Sequence, residues 1–194
     1  MTSSRPSAAG FSLVEVLVSI VVLSVGLLGT VGMLLASVRT SGEAATFTAA
    51  VNLVRELSEK ARMNKGIAAR NDAANAYLVE GWHAGSAAGS SDAGCVASGA
   101  ACNAAELAAW DMSEWQRRIA KALPDARLSV CFDEEPWNEG AGAYTWACSK
   151  TGRTVVVKLG WTPRTGGVKV QSPPAPRLVM QLVAGQGHDG HAGS

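Results

Sequence analysis

From residue 16 to residue 38 the chain carries no charged side chain at all. Catalytic signatures are equally scarce. No nucleophile elbow, phosphate-binding loop or HExxH pair occurs, and His83 has no identifiable catalytic partner in the sequence. The balance of 17 Lys plus Arg against 16 Asp plus Glu leaves a formal charge of +1. A broad cationic surface for nucleic acid is therefore not expected. The four cysteines lack the C-x2-C spacing that a four-thiolate zinc site favours, being spaced C-x6-C and C-x16-C. Neither a metal nor a cofactor is expected, and no residue is singled out as catalytic.

The uncharged run of 23 residues would extend roughly 34 Å as a helix, enough to cross a bilayer core. A secretory signal would be shorter and would place its small-residue cleavage site after the apolar core. Here Ala8, Ala9 and Gly10 come before it, so cleavage at that point would leave the helix attached. Arg5 precedes the span and votes weakly for a cytoplasmic N-terminus; Arg39, just after it, weakens that vote. Gly26, Gly29 and Gly32 recur every three residues within the span, with Ser19 and Ser24 as further small positions. Such residues allow close helix approach and lower helix propensity.

Glu15 stands at the mouth of this run. An ionised, unpaired carboxylate inside lipid would cost several kcal/mol. The stretch GFSLVEVLVSIVVLSVGLLG, residues 10–29, resembles the N-terminal processing and assembly signal of type IV prepilins. The resemblance implies that prepilin peptidase cuts between Gly10 and Phe11 and methylates the new amino terminus. It also implies that Glu15 pairs with the amino terminus of a neighbouring subunit, which would set the register between helices.

Beyond the span the apolar pattern becomes striped. Phe47, Val51, Val54, Leu57, Ala61 and Met63 alternate with Arg55, Glu56, Glu59, Lys60 and Arg62, which predicts an amphipathic continuation to about residue 64. One long helix from about 11 to 63 is expected. Residues 81–103 are dominated by Gly, Ala and Ser and read as a surface loop. Cys95 and Cys102 lie within it, while Cys131 and Cys148 lie in strand-like segments. An even count outside the cytoplasm favours disulfides. Of three possible connectivities, loop closure favours Cys95 with Cys102 and Cys131 with Cys148.

Asn103 and Glu106 form a helix-capping pattern, and Leu107, Trp110, Trp115, Ile119 and Leu123 form a stripe that Pro124 stops. A helix over 104–123 is expected. Asp111 and Glu114, beside Arg117 and Arg118, read as a solvated face and not as an acid–base pair. The stretch CNAAELAAWDMSEWQRRIAKALP resembles the equivalent segment of type IV pilus modification proteins of the PilV type: a cysteine, then AxELAxxDxxxW, then a helix ending in LP. Four β segments follow, at about 127–133, 144–149, 154–162 and 177–183, and turn residues 151–153 predict a hairpin between the second and third. Pro173, Pro174 and Pro176 extend the connection into the last. The tail 184–194 holds His188, Asp189 and His191 among glycines and reads as flexible, without a fixed metal site.

The expected architecture is α+β and pilin-like: a long N-terminal helix, its first half membrane-spanning, packed on a small antiparallel sheet. Residues 1–10 would be a cleaved leader, 11–38 the membrane or filament-core helix and 39–194 a periplasmic head, with strands between 127 and 183. The resemblance implies a non-enzymatic minor pilin that joins other minor pilins, the major pilin and the inner-membrane assembly platform. Such a subunit would sit in membrane lipid first and in the surface pilus afterwards. A minor pseudopilin of a type II secretion system would share the N-terminal signal. A signal-anchored periplasmic enzyme would keep an uncut N-terminus.

Overall fold

The computed structural model describes residues 12–86, 95, 101–163 and 175–182. Gly10, Phe11, most of the 81–103 loop, Pro173, Pro174, Val183 and the tail with His188, Asp189 and His191 lie outside them. The chain divides into two compact units, residues 1–42 and 43–194.

Helix α1 covers Leu13–Met63 and runs through the boundary between the units. In the first unit its apolar side chains are all exposed, with no part of the apolar window buried by the protein. A core helix of a soluble protein would be covered, so length and composition leave a helix able to cross a membrane. Its hydroxyls are satisfied within the helix: Ser19 donates to the Glu15 carbonyl and Ser24 to that of Ile20, both at 2.7 Å, and Thr30 to Leu27 at 2.8 Å. That economy suits an apolar solvent, where an unpaired hydroxyl is costly.

In the second unit α1 buries Ala50, Leu53, Val54, Leu57 and Ala61. Their spacing of three and four residues makes one face. A single turn of helix, α2 (Lys65–Ala68), follows. Asn75 then organises the turn behind it: its amide donates to the carbonyls of Ala68 and Arg70, and its oxygen accepts from the Tyr77 N–H. Helix α3 covers Ala104–Ala122. Asn103 Oδ1 accepts from the N–H groups of Ala105 and Glu106, and Glu106 reaches back to the Asn103 N–H at 2.9 Å, a complete capping box.

The main sheet contains β1 (Val79–His83), β2 (Arg127–Phe132), β5 (Val155–Gly160) and β6 (Leu178–Gln181) in the order β1-β2-β5-β6, all antiparallel. A separate small hairpin joins β3 (Trp137–Asn138) to β4 (Ala143–Tyr144). Leu128 faces Leu159, Val130 faces Val157 and Phe132 faces Val155. These six belong to one core with Leu53, Leu57, Trp115 and Ile119. The α+β architecture, with a long apolar helix ahead of a small antiparallel sheet, is thus the one expected from the sequence.

Two strand expectations are corrected. The segment 144–149 does not form a hairpin with β5, whose partners are β2 and β6. Only Ala143 and Tyr144 pair there, because Cys148 is bonded to Cys131 and Lys150 turns back in the left-handed region at φ 58°. Strand β1 lies partly where a loop was expected. Gly81, at φ 67°, falls within the register shift between Val79 and Trp82, so the strand carries a bulge that breaks its sequence pattern.

In strand β5 Val155, Val157 and Leu159 alternate along the sequence with Val156, Lys158 and Gly160. All six of its residues are buried. On the second face Lys158 meets Asp133 and the Ala147 carbonyl, both in the segment that leaves the end of β2, forms the β3–β4 hairpin and returns to Cys148.

Candidate functional site

Three groups of side chains carry what the sequence singled out. The first is the start of α1. Glu15 occupies the first helical turn, its N–H bonded to the Ser12 carbonyl at 3.0 Å. The unpaired N–H groups of a helix start favour a carboxylate, so part of the expense of placing one near lipid is offset locally. The candidate cleavage residues Gly10 and Phe11 lie outside the described residues.

The second group joins α1 to α3. Asp111 is buried and not on a solvated face, which corrects the sequence expectation. Its Oδ1 meets Lys60 Nζ at 2.5 Å and its Oδ2 accepts from the Tyr77 hydroxyl at 3.1 Å. Burial and the Asp111 carboxylate push the Tyr77 phenol up, against a smaller downward pull from Asn64. Four residues along α3, Trp115 donates its indole N–H to the Leu53 carbonyl at 2.7 Å. Arg118 pairs with Glu56, and Glu114 pairs with Arg117 at 2.5 Å. The Asp and Trp of the AxELAxxDxxxW pattern therefore fasten one helix to the other. Each Asp111 oxygen thus has a partner within this contact, Lys60 on one and Tyr77 on the other.

The third group lies on the outer face of the sheet. Cys131 is bonded to Cys148 and Cys95 to Cys102, the connectivity with the shortest loops. Beneath the Cys131–Cys148 bridge, Lys158 is fully buried. Its ammonium lies 2.5 Å from Asp133 Oδ2 and donates to the Ala147 carbonyl at 2.5 Å. Asp133 Oδ1 accepts from the N–H groups of Glu135 and Ser149. Burial alone would raise the Asp133 carboxyl. The Lys158 ammonium and these two N–H groups outweigh it and hold the group below the ordinary carboxylate range.

Cys131, Asp133 and Cys148 come close enough to share an ion. Their donors are already committed, the two sulfurs to each other and the carboxylate to Lys158, so the set does not suit a metal. At Gly152, φ is 81° and a Cβ would fall 2.0 Å from Glu134, so glycine is required where the chain returns to β5.

Sequence patterns pointed to Glu15, the cysteines and α3 but not to Lys60, Tyr77, Asp133 or Lys158. The only sequence signal for Lys158 was its place among the even-numbered residues of β5. Its importance depends on which segment covers that face, and periodicity does not say.

Residues 5–31 match the family model described as the prokaryotic N-terminal methylation motif. Comparison with curated proteins and with solved structures gave no match. The match includes Gly10, Phe11 and Glu15 and ends inside the exposed apolar part of α1. It supports a pilin-like or pseudopilin-like protein with a structural role in preference to an enzyme.

Proposed function

We propose that this chain is a minor pilin of the PilV type, a non-enzymatic subunit that helps to prime type IV pilus assembly with other minor pilins at or near the tip. The observation that carries the reading is the methylation motif at residues 5–31, continuous with an apolar helix that the protein leaves wholly exposed. In this reading prepilin peptidase cuts after Gly10 and methylates Phe11. The free α-amino group of a neighbouring subunit then meets Glu15, which exchanges a costly lone charge in lipid for an ion pair. The apolar helix holds the subunit in the inner membrane with its head in the periplasm until it enters the filament. Two disulfides suit an oxidising compartment. The PilV assignment is supported by the α3 pattern, whose Asp111 and Trp115 anchor α3 to α1.

Mass spectrometry of the membrane-extracted protein tests the processing step. The expected mature chain begins at Phe11 and carries one added methyl; an uncut N-terminus overturns the reading in favour of a signal-anchored periplasmic protein. Deleting the chain and scoring both surface pili and exoprotein secretion tests the assignment to the pilus. Loss of pili is expected. Normal piliation with lost secretion assigns the chain to a type II secretion pseudopilus instead.

A further inference from the structure

Between Cys131 and Cys148 the chain carries four acids, Asp133, Glu134, Glu135 and Glu139, and no Lys, Arg or His. Two cations from outside this loop already enter it. Lys158 of β5 reaches Asp133 and the Ala147 carbonyl. Arg127 of β2 lays its guanidinium over the Trp146 ring at 4.3 Å. The inner half of the loop thus holds one cation on an acid and one over an indole.

The outer half repeats this chemistry without such a partner. Trp137 and Tyr144 are cross-strand neighbours in the β3–β4 hairpin, with ring centroids 5.1 Å apart at 82°. They remain 49% and 38% exposed. Glu134, Glu135 and Glu139 are exposed, and none forms an ion pair among the described residues. The hairpin is held at its base by the disulfide and by the bond from the Thr145 N–H to the Pro136 carbonyl at 3.0 Å. A restrained hairpin loses little conformational entropy on binding. Large exposed aromatics in such a setting are the residue types that dominate protein interfaces.

We infer that the Trp137–Tyr144 hairpin is a docking surface for a basic segment of another protein, which places Arg or Lys side chains against the two rings and beside Glu135 and Glu139. Arg127 on Trp146 is the same contact made within the chain. Cation–π attraction and carboxylate pairing act on the same incoming group, so the two should weaken together when either is removed. A sugar would instead favour a flat platform for its ring face, and the edge-to-face arrangement does not present one. The inference goes beyond the filament reading and does not depend on it.

The test is photo-crosslinking of the full-length protein in the membranes of its native cells, with p-benzoylphenylalanine in place of the exposed Ala141 at the hairpin tip. Mass spectrometry of the adduct should give a protein segment with Arg or Lys within a few residues of the linked position. Trp137→Ala with Tyr144→Ala should lower the yield at least about tenfold, as hot-spot truncation does. Glu135→Gln with Glu139→Gln should lower it by a comparable factor, and added salt should weaken the wild-type adduct. Trp137→Phe with Tyr144→Phe should retain it, and an intact Cys131–Cys148 bond in each variant checks the fold. An adduct with lipid or glycan, no adduct, a linked segment without a nearby cation, or a yield that neither alanine nor glutamine pair changes overturns the inference.

Discussion

The indole N–H of Trp115 donates to the carbonyl of Leu53 at 2.7 Å, across 62 residues of sequence and from one helix to the other. Trp115 is wholly buried, so this contact combines a large apolar side chain with a satisfied polar group. Trp115→Phe should cost about 1–3 kcal/mol through the lost bond and volume. Trp115→Ala should cost about 3–5 kcal/mol. Thermal unfolding of the two variants in detergent measures both, and an undiminished stability of Trp115→Phe would show that the hydrogen bond contributes nothing.

The Lys60–Asp111 pair, with a buried carboxylate and a partly exposed ammonium, predicts a non-additive response. Asp111→Ala leaves the Lys60 ammonium and the Tyr77 hydroxyl without their partner and should destabilise by about 3 kcal/mol or more. Adding Lys60→Met should recover part of the loss. A double-mutant cycle by denaturant unfolding checks this, and simple addition of the two effects would rule out the coupling.

Asp133 predicts sensitivity to acid. Its folded pKa lies below its unfolded value of about 3.9. Its contribution to stability is therefore fully present above that value and is lost as pH falls through the lower folded value. Asp133→Asn should flatten the acid limb of the stability profile. At neutral pH the same variant should lose about 3–5 kcal/mol, because Lys158 stays buried without its counter-charge. An unchanged acid limb would remove Asp133 from the account.

Tyr77 predicts the opposite limb. Burial and the Asp111 carboxylate raise its folded pKa, whereas in the unfolded chain it ionises near its ordinary value of about 10. The stabilisation it provides is complete below that pH and is lost as pH rises toward the folded value. Melting temperature should fall more steeply above about pH 10 in the wild type than in Tyr77→Phe. Parallel curves would contradict the assignment.

The two disulfides should differ in weight. Their sequence separations are 17 and 7. Loop-closure entropy then gives about 3 kcal/mol for Cys131–Cys148 and about 2.4 kcal/mol for Cys95–Cys102. Paired Cys→Ser variants compared by equilibrium unfolding measure the order. The larger effect should follow loss of Cys131–Cys148, which also holds the cover over Lys158.

Much of the fold was legible wherever one residue pattern was set by one environment. Uncharged residues 16–38 and the stripe from Phe47 to Ala61 defined α1, and Asn103, Glu106 and Pro124 bounded α3. Strand β5 was legible from Val155, Val157 and Leu159, but the burial of Val156 and Lys158 was not, because a remote segment supplies the cover. Asp111 was misread for the same reason: its partners Lys60 and Tyr77 lie 51 and 34 residues earlier. Gly81 hid β1 by interrupting its alternation. The segment 144–149 has the composition of a strand, yet its bond to Cys131 takes it across the sheet and not alongside it.

Strand order also fixes a timetable for synthesis. Residues 131 and 148 both leave the ribosome before β5, and β6, which borders β5 on its far side, leaves last. The covering segment is therefore made before the strand it shelters, while one flank of β5 waits for Leu178–Gln181. Truncation just before Leu178 would leave that flank as an open row of backbone N–H and carbonyl groups, a template for pairing with other chains.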